Sequence, residues 1–133
     1  MRALSRLYLV LILIAWAAPA LAATSEPYAR GGRTREFAVD VQRYRQSGEP
    51  FRITGHCQSA CTMFLALRNV CVEPSAQLLF HAARTPEGTR RMFNSYNGRL
   101  RAYLTTHRVM DSLAFHTISG QDMISRFGYR ACR

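Results

Sequence analysis

The sequence predicts a small α/β domain that contains βαβ units and is closed by disulfide bonds. Helix and strand patterns alternate from residue 34 to residue 80, and such alternation indicates a layered fold with a largely parallel sheet. The chain has four cysteines, an even number that is typical of two disulfides in an exported protein. Its length favours one domain.

The first 22 residues have the pattern of a secretory signal peptide. Arg2 and Arg6 precede an apolar run, and small residues that end at Ala22 form a cleavage site. We expect a signal peptide over 1–22 and a single mature domain over 23–133, periplasmic or secreted from a bacterium. The alternative is an uncleaved segment, which would be the protein's one contact with the membrane.

Apolar periodicity predicts the elements that lead to the middle of the chain. A helix is expected over 34–46, followed by a turn and a strand over 51–54. Small and apolar residues then favour a buried helix over 59–67. Helix, strand and second helix in this order predict a crossover of the βαβ type.

Two short strands are expected after the buried helix, at 70–72 and 77–80, with a Pro-Ser turn between them. We expect a polar loop over 84–89. Helical spacing recurs over 92–107, where an Asn-Gly pair interrupts it.

A last short helix is predicted near the C-terminus. Ser119 is its expected cap, with Asp122 at the capping-box position and Gly128 at its end.

Ser59 and His81 are the candidates for a nucleophile and its base. Ser59 opens the buried helix, where unpaired backbone N–H groups stabilise an anion, and His81 ends a strand that returns to the start of that helix. A serine hydroxyl attacks only when a base within hydrogen-bond reach takes its proton. The competing base is His56. The alternative is structural, with Ser59 as a helix cap and His81 as an ordinary core or surface residue.

The cysteines are Cys57, Cys61, Cys71 and Cys132. They allow three pairings. We favour Cys61–Cys71, which would tie the buried helix to the next strand and leave Cys57 for Cys132. The alternative is a metal site formed with a histidine, but export to an oxidising compartment disfavours thiolate ligands. We expect no metal and no cofactor.

The positive charge of the chain comes from arginine alone. The formal net charge is +10, and +8 without Arg2 and Arg6. Such a charge attracts anionic partners such as envelope polyanions, phospholipid or acidic peptides. We expect no nucleic acid, since the arginines are scattered and form no recognition motif. The alternative is a solvated basic surface without a specific partner.

The motifs around the candidate pair resemble those of the Clp protease proteolytic subunit and its crotonase-like relatives. Gly55-x-x-x-Ser59 precedes an apolar helix, and a Pro-Ser-Ala strand ends in Phe80-His81. The pattern is more similar still to exported bacterial Clp-like proteins of unknown activity, which carry Cys-x-Ser-Ala-Cys-Thr and then Phe-His-Ala. The resemblance implies a small, truncated ClpP/crotonase-like fold with Ser59 as nucleophile and His81 as base.

The resemblance also implies an oxyanion hole. A Gly-Gly pair and the residue after the nucleophile supply the N–H groups in that family, which here are Gly32 and Ala60. The acid that orients the histidine falls on Phe115, so Asp111 is the nearest substitute and Asp122 the next. The family's first strands have no sequence to form them, which leaves one sheet edge uncovered unless a partner chain pairs with it.

Two functions are consistent with these features. The first is an exported serine hydrolase, expected to be a peptidase that acts on a peptide through a Ser59–His81 dyad. The second is a catalytically inactive secreted domain on the same scaffold, which binds an anionic envelope partner through its arginines. Either could be a homo-oligomer.

Overall fold

The computed structural model describes residues 21–133, so almost all of the predicted signal segment lies outside the described residues. The described part is mixed α/β, with two small sheets and two disulfides. Among residues 21–133, every helix is too short or too polar to cross a bilayer.

The first sheet is parallel and consists of β1 (Ala23–Thr24), β2 (Phe51–Ile53) and β4 (Val70–Val72). In this sheet β2 lies between β1 and β4. Helix α1 (Thr34–Ser47) connects β1 to β2, so these three elements form a βαβ unit. The C-terminal segment adds one parallel bridge, between Ala131 and Val72.

The second sheet consists of β3 (His56–Gln58), β5 (Gln77–Phe80) and β6 (His116–Ser119). β3 is parallel to β5, and β6 is antiparallel to β5. The sequence predicts β5 but neither of its neighbours, because β3 occupies the short gap between a predicted strand and a predicted helix and β6 has only one buried residue, Ile118.

Helices α2 (Pro86–Asn94) and α3 (Gly98–Thr106) follow the second sheet. The expected polar loop over 84–89 is wrong in its last four residues, since α2 begins at Pro86. Thr85 caps this helix by accepting a hydrogen bond from the N–H of Gly88 at 3.0 Å. The Asn-Gly pair that interrupts the predicted helical pattern is the beginning of α3, where Asn97 is the N-cap and Gly98 the first helical residue.

The last helix, α4 (Gly120–Ser125), is short. Ser119 caps it by accepting a hydrogen bond from the N–H of Asp122 at 3.0 Å, as predicted.

The segment Ser59–Ala66 is a 3₁₀ helix, buried from Ala60 to Leu65. Burial was predicted, whereas the tighter helix type was not. Phe64 of this segment stacks on Phe51 of β2, with ring centroids 4.3 Å apart. Three more rings contact Phe64, one from a short 3₁₀ turn (Glu26–Tyr28) and two from α1, namely Tyr28, Phe37 and Tyr44. Aromatic packing therefore holds the buried segment against the first sheet.

The cysteines form two disulfides, but the expected pairing is wrong. Cys57 bonds Cys61 within one turn of chain, and Cys71 bonds Cys132. The C-terminal segment lies against β4, where Cys132 N–H donates a hydrogen bond to Val72 O at 3.0 Å. Two disulfides indicate an oxidising compartment, extracellular or periplasmic.

Candidate active site

A cleft of about 730 Å³ contains both candidate residues. Ser59 and His81 line it, together with Gly32 and the beginnings of α1 and α2. The parallel pairing of β3 with β5 brings them together, because Gln58 lies opposite Leu79 in the register. Ser59 follows the first strand and His81 follows the second, so both leave the sheet at the same edge.

Ser59 has a left-handed backbone conformation, with φ at +56°. Such a conformation is uncommon for a residue with a side chain and is found repeatedly at functional sites. Ser59 lies midway between Cys57 and Cys61, so the disulfide closes a five-residue loop around it. The loop constrains the chain to turn sharply from strand to helix at this serine.

Gly31 packs against the same turn. A Cβ atom at this position would lie 2.7 Å from the carbonyl oxygen of Gln58 and 2.9 Å from Cβ of Ser59, so only glycine fits. Its φ of +70° has the same requirement. The close approach of the two segments depends on the absence of this side chain.

The two predicted oxyanion donors lie in this region. Gly31 N–H donates to Tyr28 O at 2.9 Å and is already used, whereas no hydrogen bond within residues 21–133 involves the N–H of Gly32. Ala60 is in the first turn of the 3₁₀ helix, where N–H groups have no partner within the helix. Gly32, which lines the cleft, and Ala60, which directly follows Ser59 in the sequence, therefore carry the two candidate backbone donors.

His81 makes two contacts with the exposed loop before β6. Its Nδ1 lies 3.2 Å from the carbonyl oxygen of Leu113, and its ring packs on that of Phe115 with centroids 4.5 Å apart. Its Nε2 is buried and has no hydrogen-bond partner in the described chain. Ser59 Oγ is therefore not hydrogen-bonded to the imidazole in this structure.

The structure does not bring an acid to His81. Asp111 pairs instead with Arg108, whose Nε lies 3.1 Å from its Oδ2. Asp122 is in α4, where its carboxylate lies 3.6 Å from Arg126. The position that the acid would take is filled by the Leu113 carbonyl. The sequence offered no signal for this contact, because a backbone carbonyl can belong to any residue type.

The other histidines have different partners. The Nε2 atom of His56 is 2.7 Å from Oε1 of Gln58 on the exposed surface. His116 Nε2 is 3.1 Å from the Tyr103 hydroxyl, and the ring of His107 packs on the same tyrosine. His81 is thus the histidine that lines the cleft with Ser59.

The described residues offer no ready metal ligand set. In the range 21–133, no three side chains among His, Cys, Asp and Glu converge on one point. The four cysteine sulfurs are all bonded in disulfides.

Comparison with known proteins gives no match. No protein-family model, no curated protein and no solved structure matches this chain. Any function must therefore be argued from the geometry of the site.

Proposed function

We propose that this protein is a serine hydrolase, a peptidase by class, in which Ser59 is the nucleophile and His81 the general base. One observation carries the proposal: the buried Nε2 of His81 has no hydrogen-bond partner in the described chain, and His81 and Ser59 line the same cleft. A buried polar atom without a partner costs roughly 1–3 kcal/mol. A role in catalysis would explain why His81 Nε2 has no hydrogen-bond partner in the folded protein.

The contacts of His81 favour the form of imidazole that a base requires. A carbonyl oxygen only accepts hydrogen bonds, so the Leu113 carbonyl places the ring proton on Nδ1. Nε2 then carries the lone pair that takes a proton. A carbonyl orients the ring without stabilising the imidazolium as a carboxylate does, so we expect a slower enzyme than one with a complete triad.

The proposed reaction begins with the attack of Ser59 Oγ on a substrate carbonyl carbon, while His81 Nε2 takes the hydroxyl proton. The carbonyl oxygen becomes an oxyanion, which the N–H groups of Gly32 and Ala60 stabilise. Each such donor contributes about 3 kcal/mol to transition-state stabilisation. Since His81 Nε2 has no partner in the structure, the Ser59–His81 hydrogen bond forms when substrate enters.

The intermediate then collapses. The bond from carbon to the leaving nitrogen or oxygen breaks, and His81 gives its proton to that leaving group. Water attacks the acyl ester on Ser59, with His81 taking one proton from the water. Breakage of the Oγ–acyl bond returns this proton to Ser59 and releases a carboxylic acid.

Several features of the chain support a wider proposal about its origin. A strand, Ser59, a buried helix and two further strands, the second of which is followed by His81, occur in the order expected of a truncated Clp-like fold. Two disulfides agree with export through a signal peptide over 1–22. We therefore propose a secreted or periplasmic bacterial hydrolase without a cofactor.

A fluorophosphonate probe tests the activity. We expect labelling of the folded protein at one serine, identified by mass spectrometry of the labelled peptide. Ser59→Ala should remove the label, whereas Ser75→Ala, a change at an exposed serine that does not line the cleft, should keep it. A folded protein that is not labelled contradicts the hydrolase and favours the second candidate, a non-catalytic domain that binds an anionic partner.

A further inference from the structure

The cleft around Ser59 has an excess of positive charge. Two glutamates and five arginines line it. The arginines are Arg30, Arg33, Arg35, Arg84 and Arg91. Ala83 and the exposed Phe115 also line the cleft. Five arginines against two glutamates leave the lining with a formal excess of three positive charges (5 − 2 = 3).

The two glutamates engage only some of these arginines. Glu87 contacts Arg91 closely and lies 3.8 Å from Arg35. Glu36 lies 3.9 Å from Arg33, but both side chains are mostly exposed, so this pair is weak.

Arg30 and Arg84 remain available. Neither makes an ion pair with any residue in the part of the chain that the structure describes. The backbone carbonyl of Arg30 accepts a hydrogen bond from the side chain of Gln58 at 2.9 Å, and Gln58 directly precedes Ser59. Arg84 follows His81 by three positions. The backbone of Arg30 is therefore close to Ser59, and that of Arg84 is close to His81.

We infer that the cleft selects acyl substrates with a carboxylate close to the scissile bond, as in peptides rich in aspartate and glutamate. This inference rests on the proposed hydrolase and adds its substrate class. Arginine binds carboxylate through charge-assisted hydrogen bonds that are roughly twice as strong as neutral ones. A cationic group in the same place is repelled, so the arginines also exclude basic substrates.

Two esters of equal chain length test the selection. The monosuccinate ester of 4-nitrophenol is anionic, and the butyrate ester is neutral. We expect a higher kcat/KM for the succinate, by about tenfold at low salt. Added NaCl should reduce the ratio, because exposed charges are screened beyond about 10 Å at 0.1 M salt.

Variants of Arg30 and Arg84 test whether these two arginines cause the preference for the anionic ester. Arg30→Gln/Arg84→Gln should bring the succinate-to-butyrate ratio close to one. The control Arg45→Gln/Arg68→Gln removes the same charge from exposed positions outside the cleft and should keep the wild-type ratio. If wild type hydrolyses both esters equally, or if both double variants change the ratio alike, the selection is overturned while the hydrolase stands.

A binding measurement covers the case in which neither ester is hydrolysed. Two dansyl-labelled pentapeptides, one with two central glutamates and one with two glutamines, are titrated with the Ser59→Ala variant and followed by fluorescence anisotropy. Tighter binding of the glutamate peptide, lost in the variant that also carries Arg30→Gln/Arg84→Gln, supports the carboxylate site even without catalysis. Equal binding of both peptides, or binding of neither, overturns it.

Discussion

Thr62 Oγ1 donates a hydrogen bond to the backbone oxygen of Ser59 at 2.7 Å. Since the one hydroxyl proton of Thr62 is used there, the Tyr96 hydroxyl must donate to Thr62 Oγ1 across 2.6 Å. Both side chains are buried, and burial raises the pKa of Tyr96 above its ordinary value. A buried chain of two hydrogen bonds thus links the loop after α2 to the left-handed serine.

Thr62→Val should weaken both the fold and the site. Valine has the shape of threonine but leaves the Tyr96 hydroxyl buried without an acceptor, so the free energy of unfolding should fall by about 1–3 kcal/mol. The rate of fluorophosphonate labelling at Ser59 should fall as well. Urea unfolding and labelling kinetics measure the two effects.

The control for this change is Thr105→Val, at an exposed position of α3. It should leave both quantities close to wild type. A Thr62→Val protein with unchanged stability and labelling would show that the hydrogen-bonded chain does not support the turn.

The two disulfides should affect stability and activity in opposite order. Cys71–Cys132 spans 61 positions and Cys57–Cys61 only four. By the entropy of the closed loop, loss of the long bridge should cost about 4 kcal/mol and loss of the short one about 2 kcal/mol. The short bridge encloses Ser59, however, so its loss should reduce labelling more.

The double variants Cys57→Ala/Cys61→Ala and Cys71→Ala/Cys132→Ala measure this order. Thermal unfolding gives the loss of stability, and labelling well below both melting temperatures gives the reactivity of Ser59. If the long bridge matters more for both quantities, the short one has no specific effect on the serine.

Short strands and a helix cap could be predicted from the local sequence. Strands β4 and β5 have the predicted bounds, since apolar residues between turn residues define them, and Ser119 caps its helix as expected. Short motifs also predict Gly32, Ser59 and His81 as candidate site residues. The structure places all three around one cleft.

The long-range contacts could not be predicted in the same way. The pairing of β6 with β5 joins residues about forty positions apart, and four cysteines allow three pairings without a local preference. The contact of His81 with Leu113 O follows from the β5–β6 connection and has no side-chain signature. For that reason the sequence suggested Asp111, a residue of the expected chemical type, which pairs with Arg108 instead.

Single replacements of the four histidines should identify which of them is the general base. His81→Ala should abolish labelling and hydrolysis, because no other imidazole lines the cleft within the described chain. His107→Ala and His116→Ala should remain within a few fold of wild type, since their rings pack near Tyr103. Activity that survives His81→Ala but is lost in His56→Ala would identify His56 as the base.

Stability should decrease at alkaline pH as Tyr28 ionises. Burial, and then the hydrogen bond with Tyr44, raises the pKa of Tyr28 to about 12 from its ordinary value near 10. The folded protein therefore favours the neutral phenol. Its contribution to stability is complete below pH 10 and is lost as the pH rises through 12.

Urea unfolding between pH 8 and pH 12 tests this dependence. Tyr28→Phe should be less stable than wild type at pH 8, by roughly 1 kcal/mol for the lost hydrogen bond. Between pH 10 and pH 12 it should lose less stability than wild type does, because it has no phenol to ionise. Parallel curves for the two proteins would mean that Tyr28 does not contribute to the alkaline transition.

Gly31→Ala should damage the site far more than Gly48→Ala, although the two glycines have nearly equal φ values of +70° and +66°. An alanine in a left-handed conformation costs about 1–2 kcal/mol at either position. At Gly48 nothing lies within 4 Å of the added Cβ, so the cost ends there and labelling of Ser59 should not change. At Gly31 the Cβ meets the Gln58 oxygen and Ser59 itself, which must push the serine turn out of place. We expect a larger loss of stability and at least about a tenfold slower labelling, the factor that corresponds to 1.4 kcal/mol of activation free energy. Near-UV circular dichroism establishes that the variant is folded. Equal stability and equal labelling of the two variants would show that the contact of Gly31 with the Ser59 turn has no part in the reactivity of the serine.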